Sequence, residues 1–282
     1  MMVFATWCVD FPAGTVCAFE TESPATQGVT LPKTQAFALT SRVGKREYRI
    51  LVAEPDNSPP ATGYSVIYVL DGNAAFATMV DIARTQRRGG AIIVGIGYPG
   101  DVPFDPRRTY DFTPSSKRDK LGALFGASEE PTGGQDEFLD FIDNELKPTI
   151  EKRFEVNRGR QTLIGHSLGG LFVLHVLFTR PQSFQNYVAG SPSIWWNDQS
   201  VLEEERRFHA NGAAKVDLLV FVGELETTYM VQDARRLAER LGPLSAAGLR
   251  VYFTPFENEN HVSVLPAGLS RAYRLALDGS DR

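Results

Sequence analysis

The sequence predicts an α/β fold with a mostly parallel central sheet, an antiparallel N-terminal edge and helices on both faces. Three observations predict it. From residue 64 onward, short runs rich in Val, Ile and Leu alternate with longer segments of helical spacing, the pattern of parallel strands joined by crossover helices. Before residue 64, two segments flank a glycine and alternate apolar with polar residues, as an antiparallel pair does. At residues 160–175, a serine sits between glycines where an apolar run passes into a helical one.

Each element follows from its own residues. Residues 1–30 are expected to be an N-terminal extension without fixed structure, and residues 31–282 a single domain. Residues 35–41 and 46–53 read as the two edge strands, turning at Gly44. Residues 64–70 form a buried strand ending at Asp71-Gly72-Asn73, and residues 74–88 a helix stopped by Gly89 and Gly90. Residues 91–96 form the next buried strand. Residues 98–134, dense in Pro, Gly and charge, are expected to be a lid or binding loop, because loops of this length in a compact domain usually carry function. Residues 135–153 return to helix. Strands follow at 161–164, 184–189, 216–222 and 249–256. The helices between and after them fall at 171–178, 198–209, 230–241 and 264–277.

Residues 160–175 read Arg-Gln-Thr-Leu-Ile-Gly-His-Ser-Leu-Gly-Gly-Leu-Phe-Val-Leu-His. A strand delivers Ser167 onto a tight turn and a helix leaves it, which is the nucleophile elbow of an α/β-hydrolase fold. Gly165 and Gly169 stand where a sharp turn leaves no room for a Cβ.

Composition narrows the function classes. The chain has 282 residues, 43% hydrophobic and 22% charged, with a formal net charge of −5. That balance argues against nucleic acid as the main partner. No apolar run reaches membrane-spanning length. Residues 1–18 are apolar but lack an early Lys or Arg and are broken by Asp10 and Pro12, a poor secretory signal. A cytoplasmic location is therefore expected, with the periplasm as the alternative. The only cysteines, Cys8 and Cys17, lie in this stretch and are expected to be free thiols. No metal or other cofactor is expected.

A serine hydroxyl needs a base to take its proton, and the chain has four histidines. His166 belongs to the turn itself. His175 lies two turns into an apolar helix and reads as a hydrogen-bonded core residue. His209 ends a charged helix. His261 follows a strand in a polar loop, where the C-terminal ends of parallel strands carry a site, so it is the expected base. The acid should fall between serine and histidine in the chain. Glu224 and Glu226 both stand just past a strand. Glu226 is preferred for its reach toward the His261 loop, and Glu224 stays open. Two backbone donors are expected at the oxyanion site: Leu168 after the nucleophile, and the helix start at Gly72 and Asn73, with Asn73 favoured. Residues 105–120 carry Arg107, Arg108, Lys117, Arg118 and Lys120 against Asp105, Asp111 and Asp119. That local positive excess suggests attraction for an anionic substrate, with a solvated mixed-charge loop as the plain reading. Of Trp195 and Trp196, one is a candidate to stack on a substrate ring, unless both plug the core.

With these residues assembled, the chain resembles the esterase branch of the α/β-hydrolases. Within it, the chain is most similar to the siderophore trilactone esterases that open enterobactin-, salmochelin- or bacillibactin-type macrolactones. The resemblance runs from about residue 30 to about residue 275. It rests on Val69-Leu70-Asp71-Gly72-Asn73-Ala74, Arg108-Thr109-Tyr110-Asp111-Phe112-Thr113-Pro114, and the elbow through His175. It continues in Ser191-Pro192-Ser193-Ile194-Trp195-Trp196, Gly223-Glu224-Leu225-Glu226 and His261-Val262-Ser263-Val264-Leu265-Pro266. The resemblance implies Ser167 as nucleophile, His261 as base, an oxyanion site near Gly72, Asn73 and Leu168, and Arg108 as a contact for a catecholate-bearing substrate. Some relatives work with a serine–histidine dyad. The expected function is a metal-independent serine esterase for a small-molecule ester or lactone, of catecholate siderophore type, with any iron arriving on the substrate. Alternatives are a general carboxylesterase, a feruloyl or acyl-sugar esterase, an acyltransferase, and a non-catalytic ligand-binding homologue.

Overall fold

A computed structural model describes residues 6–11, 14–19, 28–86, 90–116, 131–211 and 215–278. The chain divides into two units, Met1–Pro32 and Lys33–Arg282.

In the first unit, β1 (Thr6–Phe11) and β2 (Gly14–Phe19) pair antiparallel, with Cys8 opposite Cys17. The sequence reading gave this stretch no element. Yet both strands are rich in β-branched and aromatic residues, which fit a paired ribbon.

The second unit holds β3 (Thr34–Thr40), β4 (Glu47–Ala53), β5 (Tyr64–Leu70), β6 (Ala91–Gly97), β7 (Val156–His166), β8 (Asn186–Gly190), β9 (Val216–Gly223) and β10 (Leu249–Phe256). They form one eight-stranded sheet in the order β10-β9-β8-β7-β5-β6-β4-β3. The run from β10 to β6 is parallel, and β4 and β3 add antiparallel at one edge. β6, β8 and β9 are buried along their whole length, which explains why they read as largely apolar runs, broken only by Asn186 in β8 and Asp217 in β9.

Helix α1 (Gly72–Gln86) leaves β5, the short α2 (Arg108–Phe112) lies in the long excursion, and α3 (Gln135–Phe141) passes through a π-helical turn at Ile142–Leu146 into α4 (Lys147–Arg153). The π turn sits just before Pro148, which has no N–H and whose ring would clash with the carbonyl four residues back. Helix α5 (Leu168–Thr179) leaves β7. After it come α6 (Val201–Asn211), α7 (Thr228–Leu241) and α8 (Val264–Asp278). α1 packs on α8, while α5 packs on α2 and α6. Gly89, one of the two glycines proposed to stop α1, and Lys117, Arg118, Asp119 and Lys120 of the basic stretch lie outside the described residues. Among the described residues no helix is long and apolar enough to cross a membrane.

His175 lies in α5 and is buried. Its Nδ1 is 3.0 Å from Glu204 of α6 and its Nε2 is 3.3 Å from Asp136 of α3. Burial opposes its charge, but hydrogen bonds and charges from both carboxylates prevail and raise its pKa to about 9. It is a hydrogen-bonded core histidine, as its place in an apolar helix suggests, and it is also a buried cation joining three helices.

Candidate active site

The parallel strands end at one edge of the sheet, and strained backbone concentrates there. Asp71, Ser167, Ser191 and Asn258 have φ of 52°, 60°, 41° and 61° and follow β5, β7, β8 and β10. A left-handed conformation costs a non-glycine residue on the order of 1–3 kcal/mol. Ser167, with ψ of −118°, stands on the sharp turn that its sequence context predicts. The turn is tight because a Cβ on Gly165 would lie 2.2 Å from the Gly169 carbonyl oxygen. The neighbouring strand end clamps the serine backbone. The Ser167 N–H donates to the Gly190 carbonyl at 2.9 Å, and the Ser193 N–H donates to the Ser167 carbonyl at 3.2 Å.

His261 occupies the loop between β10 and α8. Its Nδ1 is 2.7 Å from Oε2 of Glu226, which follows β9. Glu226 Oε1 accepts the Ser191 hydroxyl at 2.5 Å and the Gly223 N–H at 2.8 Å. Burial pushes this carboxyl upward, but the hydrogen bonds from His261, Ser191 and Gly223 outweigh it and hold the pKa below the usual value. The loop is pinned to β9, since Leu225 N–H donates to the Glu259 carbonyl at 2.9 Å. Asn260 Oδ1 accepts the Val262 and Ser263 amides, closing a turn into α8. Glu224, the alternative acid, is exposed. His166 lies with its ring 4.6 Å from that of His261. Burial, reinforced by the neighbouring His261, lowers its pKa to about 3, so it stays neutral.

Two helices begin at this edge, α1 at Gly72 and α5 at Leu168. The first amides of a helix have no acceptor within it, so the Gly72, Asn73 and Leu168 N–H groups carry the positive ends of two helix dipoles. The two starts are neighbours: a Cβ on Gly169 would lie 3.5 Å from Asp71 Oδ2. Gly72 is required by packing, because a Cβ there would meet the Gly95 carbonyl carbon at 2.8 Å.

The sheet edge that carries the strained serine and the two helix starts therefore also carries a histidine held by a buried carboxylate. Residues 41–262 match the family described as "Putative esterase". The chain is 42% identical over 271 residues to ferri-bacillibactin esterase BesA of Bacillus subtilis, covering 91% of this chain and 94% of that one. It is 29% identical to apo-salmochelin esterase of Escherichia coli, over 84% of this chain and 77% of that protein. The crystal structure of the BES protein from Bacillus cereus superposes with a TM-score of 0.83 at 42% identity, covering 90% of this chain and 99% of that one. The chain belongs to this esterase family. It is a carboxylic ester hydrolase of the α/β-hydrolase fold.

In this esterase two of the expected site residues make side-chain contacts that the sequence does not show. Arg108 is ion-paired within the protein. Its guanidinium forms a bidentate pair with Asp71 at 2.7 and 2.8 Å and donates to the His166 carbonyl at 3.2 Å. Within the described residues 105–116 the charges balance, and the positive excess of the 105–120 stretch falls on residues 117–120, outside the described residues. Arg107 pairs with Asp105 at 2.8 Å. Asp111, buried, takes Arg46 at 2.9 Å and the Tyr98 hydroxyl at 2.8 Å. The second is Asn73, expected as a backbone donor, whose side chain is engaged elsewhere. Its Nδ2 reaches the carbonyls of Tyr98, Gly100 and Val102 at 3.1, 3.2 and 3.1 Å. It ties down the start of the excursion, so only the backbone N–H of Asn73 is left for an oxyanion. The described part of the excursion is thus anchored from three sides. Trp195 is partly buried against the core with its ring 5.7 Å from that of buried Trp196.

Ser191 escaped the sequence reading. The only local signal was a Gly-Ser-Pro triplet at a strand end; its contact with Glu226, 35 residues away, is invisible in sequence.

Proposed function

We propose that the esterase works through an acyl-enzyme formed on Ser167. The Ser167 hydroxyl attacks the ester carbonyl as His261 takes its proton, and Glu226 steadies the imidazolium that results. The oxyanion lies against the N–H groups of Leu168 and of the Gly72–Asn73 helix start. Collapse breaks the ester C–O bond, and His261 returns the proton to the leaving alcohol. Water then attacks the acyl-enzyme with His261 as base, releasing the acid and Ser167. The observation that carries this reading is the 2.7 Å contact of His261 with Glu226 on loops beside the strained serine.

The substrate we propose is a siderophore ester, the class named for the bacillibactin and salmochelin esterases it resembles. Iron would enter with the substrate. The test is hydrolysis of enterobactin and bacillibactin, free and iron-loaded, beside a neutral p-nitrophenyl ester, with products separated. Ring-opened trimer, dimer and monomer that vanish in Ser167→Ala support the proposal. Turnover of the neutral ester alone would keep the mechanism and reject the substrate class.

A further inference from the structure

We propose that Ser191 is a positioning residue of the esterase, whose hydroxyl fixes the Glu226 carboxylate so that one oxygen alone is left to orient His261. The inference rests on the reading of Ser167, His261 and Glu226 as the reacting set.

Ser191 is fully buried and follows β8, the strand between the one that ends at Ser167 and the one that leads to Glu226. Its hydroxyl donates to Glu226 Oε1 at 2.5 Å, and the Gly223 N–H donates to the same oxygen at 2.8 Å. Two donors thus occupy Oε1, leaving Oε2 facing His261 Nδ1 at 2.7 Å. A carboxylate held on one oxygen cannot rotate to offer the other, so the imidazole keeps one tautomer and one orientation.

The backbone makes the same case. Ser191 has a φ of 41°, where glycine would sit without strain. Its own N–H is engaged by the Phe221 carbonyl at 2.7 Å, so the backbone needs no side chain to hold its place. A serine kept in a glycine conformation is explained by what its hydroxyl does. The adjacent residues clamp the backbone of Ser167 through Gly190 and Ser193. One short segment therefore sets the nucleophile with its backbone and the acid with its side chain.

The test is a double-mutant cycle on a neutral p-nitrophenyl ester. Ser191→Ala should lower kcat by about tenfold or more, the loss of one hydrogen bond to a charged group, with KM within about twofold. In a Glu226→Ala background the same change should have no further effect. Ser191→Gly relieves the left-handed strain, so it should match the kcat loss of Ser191→Ala with a Tm no lower than that variant; it also guards against Ser191→Ala failing to fold. An unchanged kcat in Ser191→Ala, or the same loss in both backgrounds, overturns the inference. Turnover that persists in Ser167→Ala overturns the serine-esterase reading together with it. Turnover lost in Ser167→Ala but untouched in Ser191→Ala overturns this inference alone.

Discussion

Two histidines of the esterase face carboxylates, and their surroundings are opposed. His261 sits on a loop at the sheet edge, its side chain 37% exposed against a Glu226 that is 0% exposed. One ring nitrogen is held by Glu226, and the other has no protein partner among the described residues. His175 sits inside a helix, 3% exposed, with a carboxylate at each nitrogen. A proton-transfer group needs one nitrogen free for the reacting atoms and one partner to orient the ring. A structural cation needs both nitrogens occupied. The same pairing of residue types therefore does chemistry at one place and joins helices at the other, and the count of partners per ring separates the two.

The sharpest way to break this comparison is to remove each ring. His261→Ala should lower kcat on a neutral ester by about 10⁴-fold or more. His175→Ala should leave kcat per folded molecule within about twofold. Circular dichroism would establish the folded fraction. A large loss of kcat in folded His175→Ala would mean that the buried cation acts on the site after all.

The next largest effect concerns what anchors the edge. Arg108 and Asp71 are mutually buried, and removing one partner of such a pair typically costs about 3–5 kcal/mol. Arg108→Ala should lose stability on that scale in urea unfolding, and Arg108→Lys less. In Arg108→Lys, KM for an anionic catecholate ester and for a neutral ester should shift alike, because the charge at 108 is already met by Asp71. A selective rise for the anionic ester would return Arg108 to the substrate.

Much of this edge was legible in the sequence because its signals are local. The elbow shows in the spacing of Gly165, Ser167 and Gly169. His261 stands out because each of the other histidines has a plain local explanation, and Glu226 was preferred over Glu224 because, three residues past the end of a buried strand, it can reach the His261 loop. The fold was legible for the same reason: strands buried on both faces are mostly apolar, and the polar exceptions, Asn186 and Asp217, are each held by a partner. The pairings were not legible. Arg108 meets Asp71 across 37 residues and the His166 carbonyl across 58. A sequence counts charges without showing which ones neutralise each other. Asn73 was read as a backbone donor at a helix start, and nothing in the sequence showed that its side chain serves carbonyls 25 to 29 residues away. The hairpin of the first unit was missed because residues 1–18 were weighed only as a leader or an extension, although Pro12 and Gly14 punctuate two runs rich in β-branched and aromatic residues.

The two histidines should also separate by pH. The folded pKa of His175, about 9, lies above the ordinary 6.5, so the folded state keeps a proton that the unfolded chain releases. Its stabilisation is complete below about pH 6.5 and is lost as pH rises through about 9. Its size is about 3 kcal/mol, from the shift at 1.36 kcal/mol per unit. Urea unfolding at pH 6, 8 and 10 should show this decline in the wild type and a flatter profile in His175→Gln. Equal slopes in both would mean that Asp136 and Glu204 do not hold a charged ring.

The smallest effect tests whether the edge is braced as firmly as the helical layer. Asn73 grips three carbonyls of the excursion with one amide nitrogen, so its bonds are shared and each is weaker than a single linear one. Asn73→Ala should therefore cost only about 1–2 kcal/mol in unfolding. Its backbone N–H remains at the start of α1, so the oxyanion donor survives and kcat should change little. The excursion, freed at residues 98–102, should instead raise KM several-fold. If kcat falls while KM holds, the side chain is part of the oxyanion site, and the division drawn at this edge between bracing side chains and reacting backbone fails.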